Sequence, residues 1–299
     1  MDINYELYKV FYFVAKTLSF SEASKELYIS QSAVSQSIKT LEKRLDQTLF
    51  IRSTKKVKLT KEGELLFKHI EPAINLISRG ENQIIEGHTL NGGQLRIGAS
   101  DTICRYYLVP FFKAFHNRFP NVHIKIVNET SLNCVDLLET NQVDLIVANT
   151  PNSKLNSLEN VKTIHEFHDV FVVNPTYFPN INLTLSLNQL QNYPVLMLGK
   201  NSTTSQFLHS IFLQHQLELI PSIELSSNDL LIDLAKIGLG IAFVPDFCLK
   251  STSNDLKLIQ IKEHLPNRKI VAAYSNQLPL SAAASYFLQS LLYKERIQL

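Results

Sequence analysis

With 299 residues the chain is long enough for two or three domains, one of them small, and needs no disulfide or metal staple to fold. Hydrophobic residues at 45% and charged residues at 19% are ordinary globular values, which excludes disordered, collagen-like and low-complexity classes. The net charge of +2 is unevenly placed: residues 30–58 hold seven basic side chains against two acidic ones, whereas residues 88–299 hold 16 of each. Such a basic pole on a neutral remainder is the footprint of a small polyanion-binding module, although a solvated basic face would look the same from charge alone. Cys104, Cys134 and Cys248 form no CxxC pair, so neither a disulfide framework nor a zinc cluster is encoded and no cofactor or metal is expected. No apolar run approaches the ~20 residues a bilayer demands, so a soluble cytoplasmic protein is expected, with no membrane partner.

In chain order, residues 4–18 read as an amphipathic helix, with Leu7, Val10, Phe11, Val14 and Leu18 on one face. Ser19-Phe20-Ser21-Glu22 then reads as a capping box opening a short second helix through Leu27. The chain breaks at Tyr28-Ile29, and Ser30 can cap a third helix through about Leu45. Two short helices around a tight turn indicate helix-turn-helix. At ~100° per residue, Val34, Ile38, Leu41 and Leu45 share one stripe of the third helix, while Ser32, Gln36, Lys39 and Lys43 lie opposite. Hydroxyls and amides can bond base edges and ammonium groups can hold phosphates, which is the chemistry of major-groove reading. Two short strands, 49–52 and 57–59, flank a basic tip and read as a wing that places Arg52, Lys55 and Lys56 near the DNA backbone or minor groove.

The runs Phe20-Ser21-Glu22-Ala23-Ser24-Lys25-Glu26-Leu27, Ser30 to Glu42 (SQSAVSQSIKTLE), Leu49-Phe50-Ile51-Arg52 and Leu59-Thr60-Lys61-Glu62-Gly63 resemble the N-terminal part of LysR-type transcriptional regulators. The resemblance implies that the helix from Gln31 enters the major groove of double-stranded DNA, with Gln31, Ser32, Ser35, Gln36 and Lys39 as contacts and Arg52 on the wing. From Thr60 a long helix should run to about Gly87, with Leu66, Ala73, Gly80 and Ile70, Ile77, Ile84 as two heptad series forming a dimer seam. The alternative is that Ile70, Ile77 and Ile84 pack on the chain's own other domain. Pro72 should kink or break this helix. The resemblance adds that such dimers pair into homotetramers.

After Asn91-Gly92-Gly93 the period changes. Short apolar runs at 94–100, 122–127, 143–148, 170–174, 195–198, 222–225, 241–244 and 270–274 alternate with helical stretches at 106–119, 132–141, 204–216, 230–237 and 281–294, predicting parallel α/β sheets with ligand crevices at strand ends. Leu108-Val109-Pro110, Phe119-Pro120-Asn121-Val122, Asp144-Leu145-Ile146-Val147 and Gly238 to Pro245 (GLGIAFVP) resemble the effector domain of the same family, which is similar to periplasmic binding proteins. The whole chain is then expected to be α/β with an N-terminal winged helix-turn-helix (1–60), a linker helix (61–90) and a C-terminal two-lobed effector domain (91–299). Lobe I would be about 91–168 and 269–299, and lobe II about 169–268. Gln142-Val143 stands where a glycine turn is usual, so that loop should differ.

Ser100-Asp101-Thr102, Lys200-Asn201-Ser202-Thr203-Thr204, and Thr130 and Ser131 match cleft positions of the family, and Asn149 is a further effector-binding candidate. Helix N-terminal amides with hydroxyls can hold an anion, although each hydroxyl could equally be a plain N-cap. A small polar or anionic metabolite is expected; Asp101 disfavours a bare anion unless Lys200 or Arg105 offsets it, so a hydroxylated or zwitterionic effector stays open. His165-x-x-His168 has metal spacing without a third ligand, and Cys104 has no resolving cysteine. No covalent or phosphate-transfer motif occurs. A ligand-controlled transcription regulator without enzymatic activity is the reading, against an α/β enzyme or solute-binding protein carrying a DNA-binding segment.

Overall fold

A computed structural model describes residues 3–52, 57–86, 92–249, 255–276 and 279–293, without the side chains of residues 52, 82, 83, 85 and 86. The chain forms two compact units, Met1–Gly87 with Glu139–Gln142, and His88–Leu138 with Val143–Leu299. No described helix is long and apolar enough to cross a membrane.

The first unit opens with α1 (Tyr5–Thr17), α2 (Phe20–Glu26) and α3 (Gln31–Leu45), followed by the antiparallel hairpin β1 (Phe50–Arg52) and β2 (Val57–Leu59). Val10, Phe11, Val14, Ala23, Val34, Ile38, Leu41 and Phe50 are its core, the apolar stripes of α1 and α3 turned toward each other. Only half of the expected capping box forms. Ser19 Oγ accepts the Glu22 amide at 3.2 Å, but Glu22 turns to Lys25 and the Ser19 amide donates to Thr17 Oγ1 instead. The turn into α3 is made by Tyr28 in the left-handed region, φ 54°.

α4 (Lys61–Glu86) runs through Pro72 without a break, so of the expected kink or break the break does not occur. The proline frees only the carbonyl of Lys68, an exposed position where water can serve it, while apolar anchors on either side hold the register. Leu66, Phe67 and Ile70 pack on the head's own core and Ile74 is buried, so the lower part of the heptad seam is used within the unit. Ile77 and Ile84 are exposed. The expected helix end at Gly87 lies outside the described residues.

In the second unit, β3 (Gln94–Ala99), β4 (His123–Asn128), β5 (Leu145–Asn149), β6 (Asn160–Phe167) and β13 (Arg268–Tyr274) form a five-stranded sheet in the order β4-β3-β5-β13-β6. A six-stranded sheet has the order β10-β9-β11-β7-β12-β8. Its strands are β7 (Asp169–Val173), β8 (Thr184–Leu185), β9 (Val195–Leu198), β10 (Ile223–Leu225), β11 (Ile241–Pro245) and β12 (Lys257–Ile261). Both sheets are mixed, correcting the expectation of purely parallel ones. β13 runs antiparallel to β5 and β6, and β7 antiparallel to β11 and β12. The cause is the chain path: it leaves the first sheet at β6, enters the second at β7, and returns as β13, so each crossing strand arrives reversed. β6 and β12 escaped the sequence reading because both are half exposed and carry charges among their apolar residues.

Besides a single helical turn at Asp101–Ile103 and short 3-10 and π turns, the helices of this unit are α5 (Val109–Arg118), α6 (Ser131–Glu139), α7 (Leu187–Leu190), α8 (Thr203–Gln214), α9 (Asn228–Lys236) and α10 (Ala282–Leu292). One apolar cluster, including Leu95, Phe115, Leu196, Leu231, Val244 and Phe287, draws on both sheets and their helices. The loop before Asp144 turns at Asn141, φ 57°, the residue type that after glycine most readily adopts this conformation. Asp144 then accepts both the Arg96 amide and its guanidinium at 2.8 Å.

Candidate functional site

Two surfaces carry the chemistry, one in each unit. On α3, Val34, Ile38 and Leu41 are fully buried, whereas Gln31, Ser32, Gln36, Lys39 and Lys43 are exposed and Ser35 is half-buried. Ser30 caps the helix by accepting the Ala33 amide at 3.2 Å. Glu42, on the same helix, accepts the amides of Leu49 and Phe50 at 2.9 and 3.3 Å, tying α3 to the first strand of the wing. Thr60 closes the wing from the other end, donating to the Thr48 carbonyl at 2.7 Å and capping α4 through the Gly63 amide at 3.0 Å. Arg52 ends β1 with its side chain outside the described residues, and Lys55 and Lys56 lie wholly outside them.

In the second unit a cleft of 370 Å³ is lined by Ser100, Asp101 and Thr102 after β3, Thr130 and Ser131 after β4, Asn149 ending β5, and Ser202, Thr203 and Thr204 opening α8. These nine sequence-derived candidates all line this one space. The sequence reading missed Asn128, Glu129, Leu198, Ser226, Ser227 and Asn228, which line it too. Ser226-Ser227-Asn228 carry the same signal as the others, a polar run between a strand and a helix, and the same rule would have found them.

Four hydroxyls do act as N-caps: Ser100, Thr130, Ser202 and Ser227 accept the amides of Ile103, Asn133, Ser205 and Leu230. Capping consumes one amide per helix, and the other first-turn amides have no partner within the helix. Asn228 Nδ2 donates across the cleft to Thr102 Oγ1 at 2.9 Å. Beside it Tyr106 donates to Asp229, which also lies 3.5 Å from Arg105. Burial first and the Asp229 hydrogen bond second push the Tyr106 phenol up, so it stays a donor. Tyr106 and Arg105 reach Asp229 from a π-helical turn, Cys104–Leu108, just before α5. The ion-pair partner of Arg105 is thus Asp229, with the Arg105 side chain itself exposed. Lys200 lines an adjoining pocket with Glu224.

Beneath the cleft floor sits Arg268, 1% exposed and absent from the sequence reading. Its Nη1 bonds Asp169 at 2.7 Å and Thr204 Oγ1 at 2.9 Å, its Nη2 bonds Thr203 Oγ1 at 3.0 Å, and its Nε bonds the Thr150 carbonyl at 2.7 Å. The rings of Phe167 and Phe207 lie against the guanidinium. One side chain from the first sheet thus holds β7 and the start of α8. The hint in the sequence is a basic pair, Arg268-Lys269, opening an otherwise largely apolar strand.

Neither alternative chemistry finds support. His165 lies on a strand, stacked on Tyr107, and among the described residues no group of three ligating side chains could hold a metal. Cys104 is buried, and desolvation followed by Asp101 pushes its thiol up to about 12.

Residues 88–295 match the model of the LysR substrate binding domain, and residues 5–64 that of the bacterial regulatory helix-turn-helix protein of the lysR family. A probable RuBisCO transcriptional regulator of Phaeodactylum tricornutum is 26% identical, with 94% of this chain and 93% of the relative covered. The transcriptional activator CmpR of Synechocystis is 24% identical over 95% of this chain and 93% of the relative. Among solved structures, CbnR, described as a LysR family transcriptional regulator, aligns with a TM-score of 0.68 at 16% identity, covering 97% of this chain and 99% of that one. It has also been solved in complex with its target DNA. Full-length OxyR of Pseudomonas aeruginosa aligns with a TM-score of 0.70 at 18% identity, covering 99% and 96%.

Proposed function

The chain belongs to the LysR family of transcriptional regulators, and from that premise we propose that it reads an operator through α3 and the wing and answers to a small molecule held in the cleft of its second unit. Gln31, Ser32, Ser35, Gln36 and Lys39 are the proposed groove contacts, and Lys43, Arg52, Lys55 and Lys56 the phosphate contacts. The observation that carries this is the division of α3 into a fully buried apolar side and an exposed side of hydroxyl, amide and ammonium groups.

The effector set is Ser100, Asp101, Thr102, Thr130, Ser131, Asn149, Ser202, Thr203 and Thr204. Holding, rather than transforming, suits a cleft lined by Ser, Thr and Asn, which orient a ligand well and exchange protons poorly. The division into a reading head (1–60), a linker (61–90) and an effector domain (91–299) follows, as does a place in the cytoplasm beside DNA. Ile77 and Ile84, apolar and exposed on α4, support pairing of two chains, since a helix-turn-helix reader gains affinity from two half-sites ~34 Å apart. A dimer of such dimers gives the tetramer. Effector binding shifts the balance between two arrangements of the effector domain and so changes the spacing of the heads.

The test is selection of genomic fragments by the purified protein, followed by footprinting with and without metabolite extract. An enriched motif with two half-sites is expected, with a footprint that changes on addition. Retention of all fragments alike would overturn DNA reading, and turnover of a metabolite would overturn the non-enzymatic assignment.

A further inference from the structure

We propose that the effector is a zwitterion, carrying a carboxylate and an ammonium group in the manner of a free amino acid; this rests on the cleft being the effector site. The cleft lining holds two kinds of chemistry. At the start of α8 the Thr203 and Thr204 hydroxyls, each 3% exposed, accept hydrogen bonds from Arg268. A guanidinium has donors only, so each of these hydroxyls keeps its own proton to give. The two protons, with the first-turn amides of a 12-residue helix and a cation behind them, make a donor-rich group suited to a carboxylate.

Other residues of the lining offer acceptors. Asp101 and Glu129 line the cleft, and no lysine, arginine or histidine does so among the described residues. Asn149 and Asn228, 7% and 3% exposed, also line it, and the Oδ1 of each has no hydrogen-bond partner. Both of these oxygens are shielded from solvent, so the acceptors open to an ammonium group are the carboxylates of Asp101 and Glu129, both at exposed positions. A simple dianion would place charge against two carboxylates, and a simple amine would leave the Thr203–Thr204 group unanswered. A volume of 370 Å³ sits at the low end of the ~300–1,000 Å³ usual for ligand pockets, which suits a compact molecule of this kind.

The experiment is calorimetric titration of the full-length protein with each of the twenty protein amino acids, then, for every binder, with the amine lacking its carboxylate and the acid lacking its amine. At least one amino acid is expected to bind, and both truncated analogues to bind at least tenfold more weakly. Asp101→Asn, at an exposed position that leaves the fold intact, should weaken the amino acid at least fivefold while improving the deaminated acid. Equal or tighter binding of the deaminated acid to the wild-type protein overturns the zwitterion and leaves the cleft reading standing. Binding of an amino acid that Asp101→Asn and Thr203→Val both leave unchanged overturns the cleft reading itself. Absence of binding by all twenty at millimolar concentration overturns the proposal.

Discussion

Arg268 and Asp169 form an ion pair at 2.7 Å with both side chains fully shielded from solvent, joining the strand that returns to the first sheet with the strand that opens the second. Burial pushes the Asp169 carboxyl up, and the guanidinium opposes that push. Replacing one partner strands the other charge, so Arg268→Met should cost about 3–5 kcal/mol, read from urea unfolding of the effector domain. In that variant the folded-state pKa of Asp169 stands above its unfolded value, so the folded form holds a proton that the unfolded form has released. Stability of the variant relative to wild type should therefore recover as the pH falls through that folded-state pKa. Equal unfolding midpoints for variant and wild type would refute the role.

Gly63 has no room for a side chain, since a Cβ there would stand 2.2 Å from the Leu49 carbonyl oxygen, a backbone atom. Gly63→Ala should cost about 1–3 kcal/mol by forcing α4 away from the wing. Gly80, on the same helix with nothing within 4 Å, is the control: Gly80→Ala should stabilise by about 1 kcal/mol through helix propensity. Thermal melts of the two variants should move in opposite directions.

Thiol chemistry should be silent in the folded protein. With the Cys104 and Cys134 thiols both pushed up to about 12, chiefly by desolvation, about one molecule in 10⁴ carries either thiolate at pH 8. Iodoacetamide should label none of the three cysteines in an hour under native conditions and all three in denaturant. Rapid native labelling of Cys104 would reopen a redox role.

Base reading and phosphate gripping should separate by mutation. Gln36→Ala should weaken operator binding by about 1–3 kcal/mol while sparing random DNA. Arg52→Ala should weaken both and reduce the salt slope by about one. Loss of operator and random binding alike in Gln36→Ala would show that this side of α3 does not read bases.

The head was legible because its signals are local: a stripe on α3, hydroxyl caps at Ser19 and Ser30, and a basic tip between two short strands. The cleft candidates were legible for the same reason, each being a polar run between a strand and a helix. Arg268 was not, because its meaning lies in partners 64 to 118 residues away along the chain. The antiparallel strands were missed since sequence periodicity reports burial and not direction. Pro72 does not break α4, because its local penalty is set against packing that only the folded head supplies.

Glu42 binds the start of the wing with one carboxylate while riding on the helix that carries Gln36 and Lys39. Helix and hairpin are thereby one stiff tool with a fixed bite. A target whose grooves do not match that bite must itself bend or compress, so the flexibility of the target's base steps enters the choice of target even where no side chain touches them.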